Sequence, residues 1–175
     1  MKRETTTVLA TELIALALLV GACSRTPSPY EQAHRAVVRR NTALVAEILA
    51  SHPDVVHEVS GFDGATLLHD ALVNVPSLDI ATVLINAGAD VNRADVTGSH
   101  PIHTLCHFTG DLQCLELLIQ RGADPEARDG RQETALQITT RGGHQEAVTF
   151  LSQKHTGANK ALDGMSADHH GRGSP

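Results

Sequence analysis

Aromatic residues are nearly absent from this sequence. Its 175 residues include no tryptophan, one tyrosine and three phenylalanines. The core must therefore be built from alanine, valine, leucine and isoleucine, which suits small helices that pack at close range. The net charge of −6 also disfavours nonspecific nucleic-acid binding, because such binding needs clustered lysine and arginine to displace counterions. We expect no nucleic-acid partner.

Motifs that carry enzyme chemistry are also missing. The sequence contains no Gly-x-Ser-x-Gly nucleophile elbow, no Gly-Lys-Ser/Thr phosphate loop, no His-Glu-x-x-His zinc motif and no glycine-rich dinucleotide fingerprint. The acidic residues are scattered singly, so they suggest no pair of carboxylates for acid–base catalysis. We therefore expect neither an enzyme nor a cofactor.

The most informative feature that is present is an internal repeat. Gly-Ala-Asp-Val-Asn at 88–92 returns as Gly-Ala-Asp-Pro-Glu at 122–126, and His69 returns as His103, each 34 residues later. A period of this size indicates stacked supersecondary units, because one unit alone cannot bury its apolar face. Such a stack favours a binding function over a catalytic one.

The second repeat unit is typical of a helix, a turn, a second helix and a projecting loop. Thr66 can cap a helix that begins at Leu67, and Pro76 interrupts that helix. The second helix ends at Gly88, which suits a left-handed C-cap. The apolar residues at helical spacing in this unit are Leu68, Ala71, Leu72, Leu78, Ala81, Val83, Leu84 and Ile85.

The third and fourth units follow the same plan. The third has a predicted helix from Pro101, a break at 110–111 and a helix over 112–120. The fourth has a break at 142–144 between two helices.

A degenerate first unit spans residues 30–54, and its predicted helices cover 31–40 and 42–51, followed by a loop through Pro53. The tail at 158–175 lacks apolar periodicity and is predicted to be disordered.

This pattern resembles the ankyrin repeat over residues 30–157. The family consensus of Thr-Pro-Leu-His, Gly-His and Gly-Ala-Asp is matched at Thr66, Leu68, His69, Ala71, Pro101, Ile102, His103, Gly143, His144 and both Gly-Ala-Asp turns. The resemblance implies an all-α solenoid of about four helix-turn-helix units with projecting loops. It also implies that His103 is a buried hydrogen-bonding brace between adjacent loops, whereas Gln137 replaces this histidine in the fourth unit.

Ankyrin proteins bind other proteins on a concave surface, so the resemblance implies a protein partner. We expect contacts from side chains at the loop tips and on the first helix of each unit that packing does not require. These are Phe62, Arg93, Asp95, Val96, Thr97, Arg128, Arg131 and Gln132 on the loops, and Asp70, Asn74, Thr104, Phe108, Thr140 and Arg141 on the helices. Phe62 and Phe108 stand out because aromatic side chains often supply interface energy, although Phe108 could equally fill the core.

A cluster of histidine and cysteine supports a rival metal or redox function. His103 and His107 lie four residues apart on one helical face, a spacing that Zn²⁺ or Cu²⁺ can use, and His100, Cys106 and Cys114 lie nearby. No carboxylate or fourth ligand is evident, so we expect no metal. The two cysteines could form a disulfide or remain free core thiols, since the sequence does not give the distance between them.

The N-terminal segment resembles a bacterial lipoprotein signal peptide. Two basic residues precede an apolar run at 13–22 that is too short to span a bilayer. Leu-Val-Gly-Ala-Cys at 19–23 is similar to the lipobox, in which cleavage precedes a cysteine that is then acylated. We therefore expect a signal peptide at 1–22, lipidation of Cys23, a spacer at 23–29 and attachment to the bacterial envelope, at the outer membrane facing the periplasm. An ordinary secretory signal is the alternative.

These features together favour a lipid-anchored, non-catalytic adaptor that binds an unidentified protein. One variant is an antagonist, such as an immunity protein that blocks a toxic effector in the periplasm. A further variant is an accessory to peroxide defence, which some periplasmic bacterial ankyrin proteins resemble.

Overall fold

The computed structural model describes residues 26–73 and 75–154, in which the chain forms successive pairs of helices. The helices are α1 Pro29–Val38, α2 Thr42–Ser51, α3 Leu67–Leu72, α4 Leu78–Asn86, α5 Pro101–Phe108, α6 Leu112–Gln120, α7 Ala135–Gly142 and α8 145–154, with a 3-10 helix at Pro53–His57. The predicted signal peptide at 1–22, Cys23, Asn74 and the tail at 158–175 lie outside the described residues.

The helix pairs stack side by side in sequence order. The inner helices α1, α3, α5 and α7 form one row in which each contacts the next, and the outer helices α2, α4 and α6 form a second row. Hydrophobic clusters around Leu84 and around Leu118 fill the space between the rows. The predicted all-α solenoid is therefore confirmed. Within the described ranges, no helix combines the length and apolar composition needed to cross a membrane.

Loops project from the stack before each of the last three inner helices. We call residues 59–66, 93–100 and 127–134 the first, second and third hairpin loops. An antiparallel bridge pairs Val59 with Thr66 in the first loop and Arg128 with Thr134 in the third.

Local chemistry sets the ends of the helices as predicted. Thr66 caps α3, and Asp111 Oδ1 accepts the N–H of Cys114 at 2.8 Å at the start of α6. Gly88 follows α4 with a φ of 101°, a left-handed backbone that a residue with a Cβ adopts only at a cost. The chain therefore leaves the helix where the sequence indicated.

The first unit departs from its predicted bounds. α1 begins at Pro29 rather than at residue 31, because Ser28 Oγ accepts the N–H of Glu31 at 3.1 Å and the Glu31 carboxylate accepts the N–H of Ser28 at 3.1 Å. Pro29 is therefore part of the helix and not of a spacer. The predicted loop through Pro53 contains the 3-10 helix Pro53–His57, which buries two valines against the core.

The core face of α4 also differs from the predicted apolar stripe. Ile80, which the prediction omits, is completely buried together with Ala81 and Leu84. Leu78 is 37% exposed. The predicted stripe therefore omits one core residue and includes a partly exposed one, because an apolar residue at the edge of a helical face need not be buried.

Candidate functional site

A groove lies on the inner side of the stack, between the second and third hairpin loops and the exposed side of α5. Its volume is about 500 Å³. The residues that line it are Asp95, Thr97, Ser99, Thr104, His107, Phe108, Asp129, Gly130 and Arg131. Five residues that the sequence assigned to partner contacts thus lie together, on two loops and one helix.

Two carboxylates in the groove hold its loops in shape. Asp95 Oδ1 accepts hydrogen bonds from the N–H of Thr97 at 2.8 Å and the N–H of Ser99 at 2.9 Å. One repeat later, Asp129 Oδ1 accepts from the N–H of Arg131 at 2.8 Å and that of Glu133 at 2.9 Å. Burial opposes the ionisation of Asp129, but these amide hydrogen bonds keep its pKa below the ordinary value. Both loops are therefore held in shape by a carboxylate of their own before any partner binds.

Neighbouring loops touch each other at their tips. A Cβ on Gly130 would lie 2.0 Å from the carbonyl oxygen of Thr97, so only glycine fits this approach. The N–H of Val96 donates to the carbonyl of Asp63 in the first loop at 3.0 Å. The three hairpin loops therefore form a continuous wall along one side of the groove.

Two buried histidines connect the inner helices α3 and α5 to the hairpin loop that follows each of them. His69 Nδ1 accepts the N–H of Thr66 at 3.1 Å, so Nε2 carries the proton and donates to the carbonyl of Ser99 at 3.0 Å. His103 repeats this arrangement, with Nδ1 accepting from His100 N–H at 3.1 Å and Nε2 donating to Ala127 at 2.9 Å. The brace that the resemblance implied is thus confirmed.

Burial also fixes the charge state of these braces. Desolvation lowers the pKa of His69 and of His103 below the ordinary value of 6.5. Both rings are therefore neutral, and both ring nitrogens of His103 are used by the backbone. His103 has no nitrogen left for a metal ion.

The rival metal or redox function finds no support in this geometry. Within 26–73 and 75–154, no three histidine, cysteine, aspartate or glutamate side chains are grouped so that they could hold a metal ion. Cys106 and Cys114 are free and buried rather than joined by a disulfide. Burial raises the pKa of both thiols to about 12, which leaves them protonated and unreactive.

The predicted loop contacts outside the groove have different environments. Phe62 is 95% exposed at the tip of the first hairpin loop and Val96 is 73% exposed at the tip of the second, whereas Arg93 is exposed near the base of that loop. Arg128 donates to the carbonyl of Gln132 at 2.7 Å, which closes the third loop. Their role in partner binding stays a prediction.

Several predicted contacts on the inner helices are already used by the fold. Asp70 Oδ2 lies 2.9 Å from Nδ1 of His34, which joins the second unit to the first. Arg141 pairs with the carboxylate of Glu133, and Thr140 Oγ1 donates to the carbonyl of Leu136 at 2.7 Å. The Thr140 bond lies within α7, whereas the contact between Asp70 and His34 joins two units and cannot be seen in the spacing of one repeat.

The sequence analysis missed four residues that line the groove. They are Ser99, His107, Asp129 and Gly130. Repeat register contains the signal that could have found one of them, since Asp129 follows the predicted Asp95 by 34 residues. Phe108 is 52% exposed in the groove, so it does not fill the core.

Known families and proteins agree with this architecture. Residues 102–151 match the family model for ankyrin repeats in many copies, and residues 63–96 match the single ankyrin repeat. The chain is an ankyrin-repeat protein. The matches cover most of the second, third and fourth units of the stack, and residues 97–101, in the second hairpin loop and at the start of α5, lie between them.

Several animal proteins are similar to this ankyrin stack. Ankyrin repeat, SAM and basic leucine zipper domain-containing protein 1 of Echinops telfairi is 30% identical over 130 residues, which cover 70% of this chain and 26% of that protein. The B-cell lymphoma 3 protein homolog of Mus musculus is 32% identical over 127 residues, 69% of this chain and 28% of that protein. Inversin of Gallus gallus is 28% identical over 120 residues, 69% of this chain and 11% of that protein. The chain thus spans roughly a tenth to just over a quarter of these relatives' lengths.

Proposed function

We propose that this ankyrin stack is a non-catalytic adaptor whose groove binds a segment of another protein. The observation that carries the proposal is that Asp95, Thr97, Thr104, Phe108 and Arg131 lie together along one preformed groove. Ankyrin repeats indicate a protein-interaction module, and this groove is where the described residues offer a concave surface of suitable size.

The side chains in the groove suit recognition of a peptide segment. Phe108 offers a half-exposed ring and Arg131 an exposed guanidinium, two side-chain types that often anchor interfaces. His107 is exposed beside them. The carboxylates of Asp95 and Asp129 are engaged by loop amides, so they shape the groove while the other three side chains stay available.

Site-specific crosslinking in the native host tests this proposal. A photo-crosslinking amino acid at Thr104 or Arg131 should give one discrete adduct, while the same residue at the exposed Gln113 on the outer helix α6 should give none. Phe108→Ala should reduce the adduct formed from position 104. Equal adducts from all three positions, or none from the groove, would refute it. A toxic effector recovered as the partner would identify the antagonist role.

We also propose that the adaptor is held at the bacterial envelope by acyl chains on Cys23. The support is the sequence Leu-Val-Gly-Ala-Cys at 19–23, with small residues before the cysteine and an apolar run upstream. Cys23→Ser should abolish incorporation of labelled fatty acid and leave the precursor uncleaved, while Cys114→Ser should keep both incorporation and cleavage. Normal maturation of Cys23→Ser would rule the anchor out.

A further inference from the structure

The first unit has a different charge from the rest of the stack. Residues 26–52 contain three arginines and two glutamates, whereas residues 53–154 contain fourteen acidic and six basic residues, a net charge of −8. The three arginines of the first unit are Arg35, Arg39 and Arg40. One end of an otherwise acidic molecule is therefore basic.

Arg35 and Arg39 lie on the side of α1 that faces away from the second unit. The other side of α1 packs Ala33 and Val37 into the cluster shared with Leu67 of the second unit. Arg35 and Arg39, four residues apart, line a shallow depression of about 220 Å³. The remaining lining residues are Gln32, Ala36, Asn41 and Leu44. We call this surface, together with the exposed residues Val38 and Arg40 that flank Arg39 in the chain, the basic end face.

The cationic groups of the basic end face are exposed to solvent. All three arginines are exposed, and within the described residues none of them forms an ion pair. The nearest acidic residue in sequence, Glu31, uses its carboxylate to accept the N–H of Ser28 at the start of α1. The guanidinium groups are therefore available to an anionic partner.

Apolar side chains are exposed beside the arginines. Val38 is 62% exposed and Leu44 is 38% exposed. Cationic and apolar side chains on one surface match the interface of an anionic bilayer, where arginine meets lipid phosphate and apolar groups reach the acyl boundary. An acidic protein would satisfy the arginines but would not require exposed valine and leucine.

The position of this face in the chain points to the same partner. Cys23 precedes Pro29 by six residues, which span at most about 20 Å when extended. The inference rests on the proposed anchor in this respect: an acylated Cys23 would keep α1 within that distance of the bilayer. The acidic units beyond it would be repelled by the same anionic surface.

We propose that the basic end face binds the surface of an anionic phospholipid bilayer. The contact orients the stack, with α1 and α2 against the membrane and the acidic units directed away from it. The groove between the second and third hairpin loops then stays open to a protein partner.

Quenching of a fluorophore by membrane lipids tests the contact in the full-length protein purified from its host. A bimane label on Val38→Cys is compared with one on Val96→Cys, on phosphatidylcholine vesicles that contain brominated lipid with or without phosphatidylglycerol. The buried Cys106 and Cys114 should resist labelling, and treatment of the parent protein with the same label checks this. We expect quenching at position 38 only when phosphatidylglycerol is present, and none at position 96.

Charge substitutions then distinguish the effect of the basic end face on membrane binding from the effect of the total charge of the protein. The triple variant Arg35→Gln/Arg39→Gln/Arg40→Gln should weaken the docking equilibrium by about fivefold per arginine and abolish quenching at position 38. The matched variant Arg93→Gln/Arg121→Gln/Arg128→Gln loses the same charge from the other units and should retain quenching at position 38. High salt should weaken quenching in the parent.

Three outcomes would overturn the proposal. The first is no quenching at position 38 on anionic vesicles, and the second is quenching that the triple variant leaves unchanged. The third is a fluorescence change that depends on protein density on the vesicle and occurs without brominated lipid, which would assign the face to contact with a second copy of the chain. Failure of the anchor has a different signature. Release from neutral vesicles would refute acylation, while quenching at position 38 on anionic vesicles would still support the basic end face.

Discussion

Between the second and third units, the ring of His69 crosses to the carbonyl of Ser99 in a completely buried position, and His103 repeats this contact one unit later. Between the first and second units, the crossing polar contact is instead the pair of His34 and Asp70, whose side chains are 43% and 20% exposed. The comparison teaches that a buried histidine, with both ring nitrogens hydrogen-bonded, stabilises each of the two later interfaces. The first interface depends mainly on apolar packing, because partly exposed ion pairs contribute little to stability.

The largest expected effect concerns the apolar packing between the first and second units, in the cluster that contains Leu84. Leu84→Ala should lower the free energy of unfolding by about 2–5 kcal/mol, because it opens a cavity where the side chain is completely buried. Leu78→Ala, at an exposed position of the same helix, should cost far less. Chemical denaturation measures both. Equal stability of Leu84→Ala and the parent would show that the core face of α4 is wrongly assigned.

The next effect tests directly the difference between the buried brace of His103 and the partly exposed pair of His34 and Asp70. His103→Ala should cost about 2–4 kcal/mol, because it leaves the N–H of His100 and the carbonyl of Ala127 without their partner. His34→Ala should cost less than about 1 kcal/mol, because its pair with Asp70 is partly exposed. Urea denaturation of the two variants ranks the interfaces. A larger loss for His34→Ala would reverse the conclusion.

Acid should weaken the braces before it affects the rest of the stack. Burial lowers the folded-state pKa of His69 and His103 below the ordinary 6.5, so protonation favours the unfolded chain. Their contribution to stability is fully present above about pH 6.5 and falls as the pH drops below it, by at most about 1.4 kcal/mol per pH unit for each histidine. Denaturation midpoints between about pH 7.5 and pH 5 measure the slope of stability against pH.

A matched double variant sharpens the acid experiment. His69→Gln/His103→Gln places at both braces the residue that the fourth unit has at 137, where Gln137 Oε1 accepts the N–H of Thr134 at 2.9 Å. The variant should be less stable at neutral pH and should lose most of the slope. An unchanged slope would assign the acid sensitivity to other groups.

The smallest effects on stability are expected at the partner-binding residues. Arg93→Ala and Phe108→Ala should each change the free energy of unfolding by less than about 0.5 kcal/mol, because both side chains are exposed. Partner binding should weaken in both, and more in Phe108→Ala, because Phe108 lines the groove. Denaturation together with crosslinking yield separates the two properties. Loss of fold in either variant would contradict the assignment.

Much of the architecture could be predicted from local sequence. The cap at Thr66, the helix start at Pro101 and the stop at Gly88 follow from the chemistry of single residues, and all three agree with the structure. The start of α1 was missed, because Ser28 and Glu31 cap a unit that lacks the repeat signature. Sequence periodicity gives no guidance where the repeat has degenerated.

The candidate groove was predictable only in part. Five of the residues chosen on the loop tips and inner helices line the groove, yet Asp70, chosen as a side chain that packing does not require, contacts His34 from the preceding unit. Asp95 was chosen for a partner, whereas its Oδ1 organises its own loop. A spacing pattern shows which side chains leave the core but not which of them meet another side chain.

The sequence by itself determined the repeat, the helix pairs and the caps of the regular units, because each helix and cap depends on residues close together in the chain and the repeat recurs along it. Only the tertiary structure decided that Asp95, Phe108 and Arg131 share one groove and that Arg35 and Arg39 line an exposed depression at one end of the stack. The physical reason is that electrostatic and hydrogen-bonding partners are selected by distance in space, and stacking brings together side chains from different units.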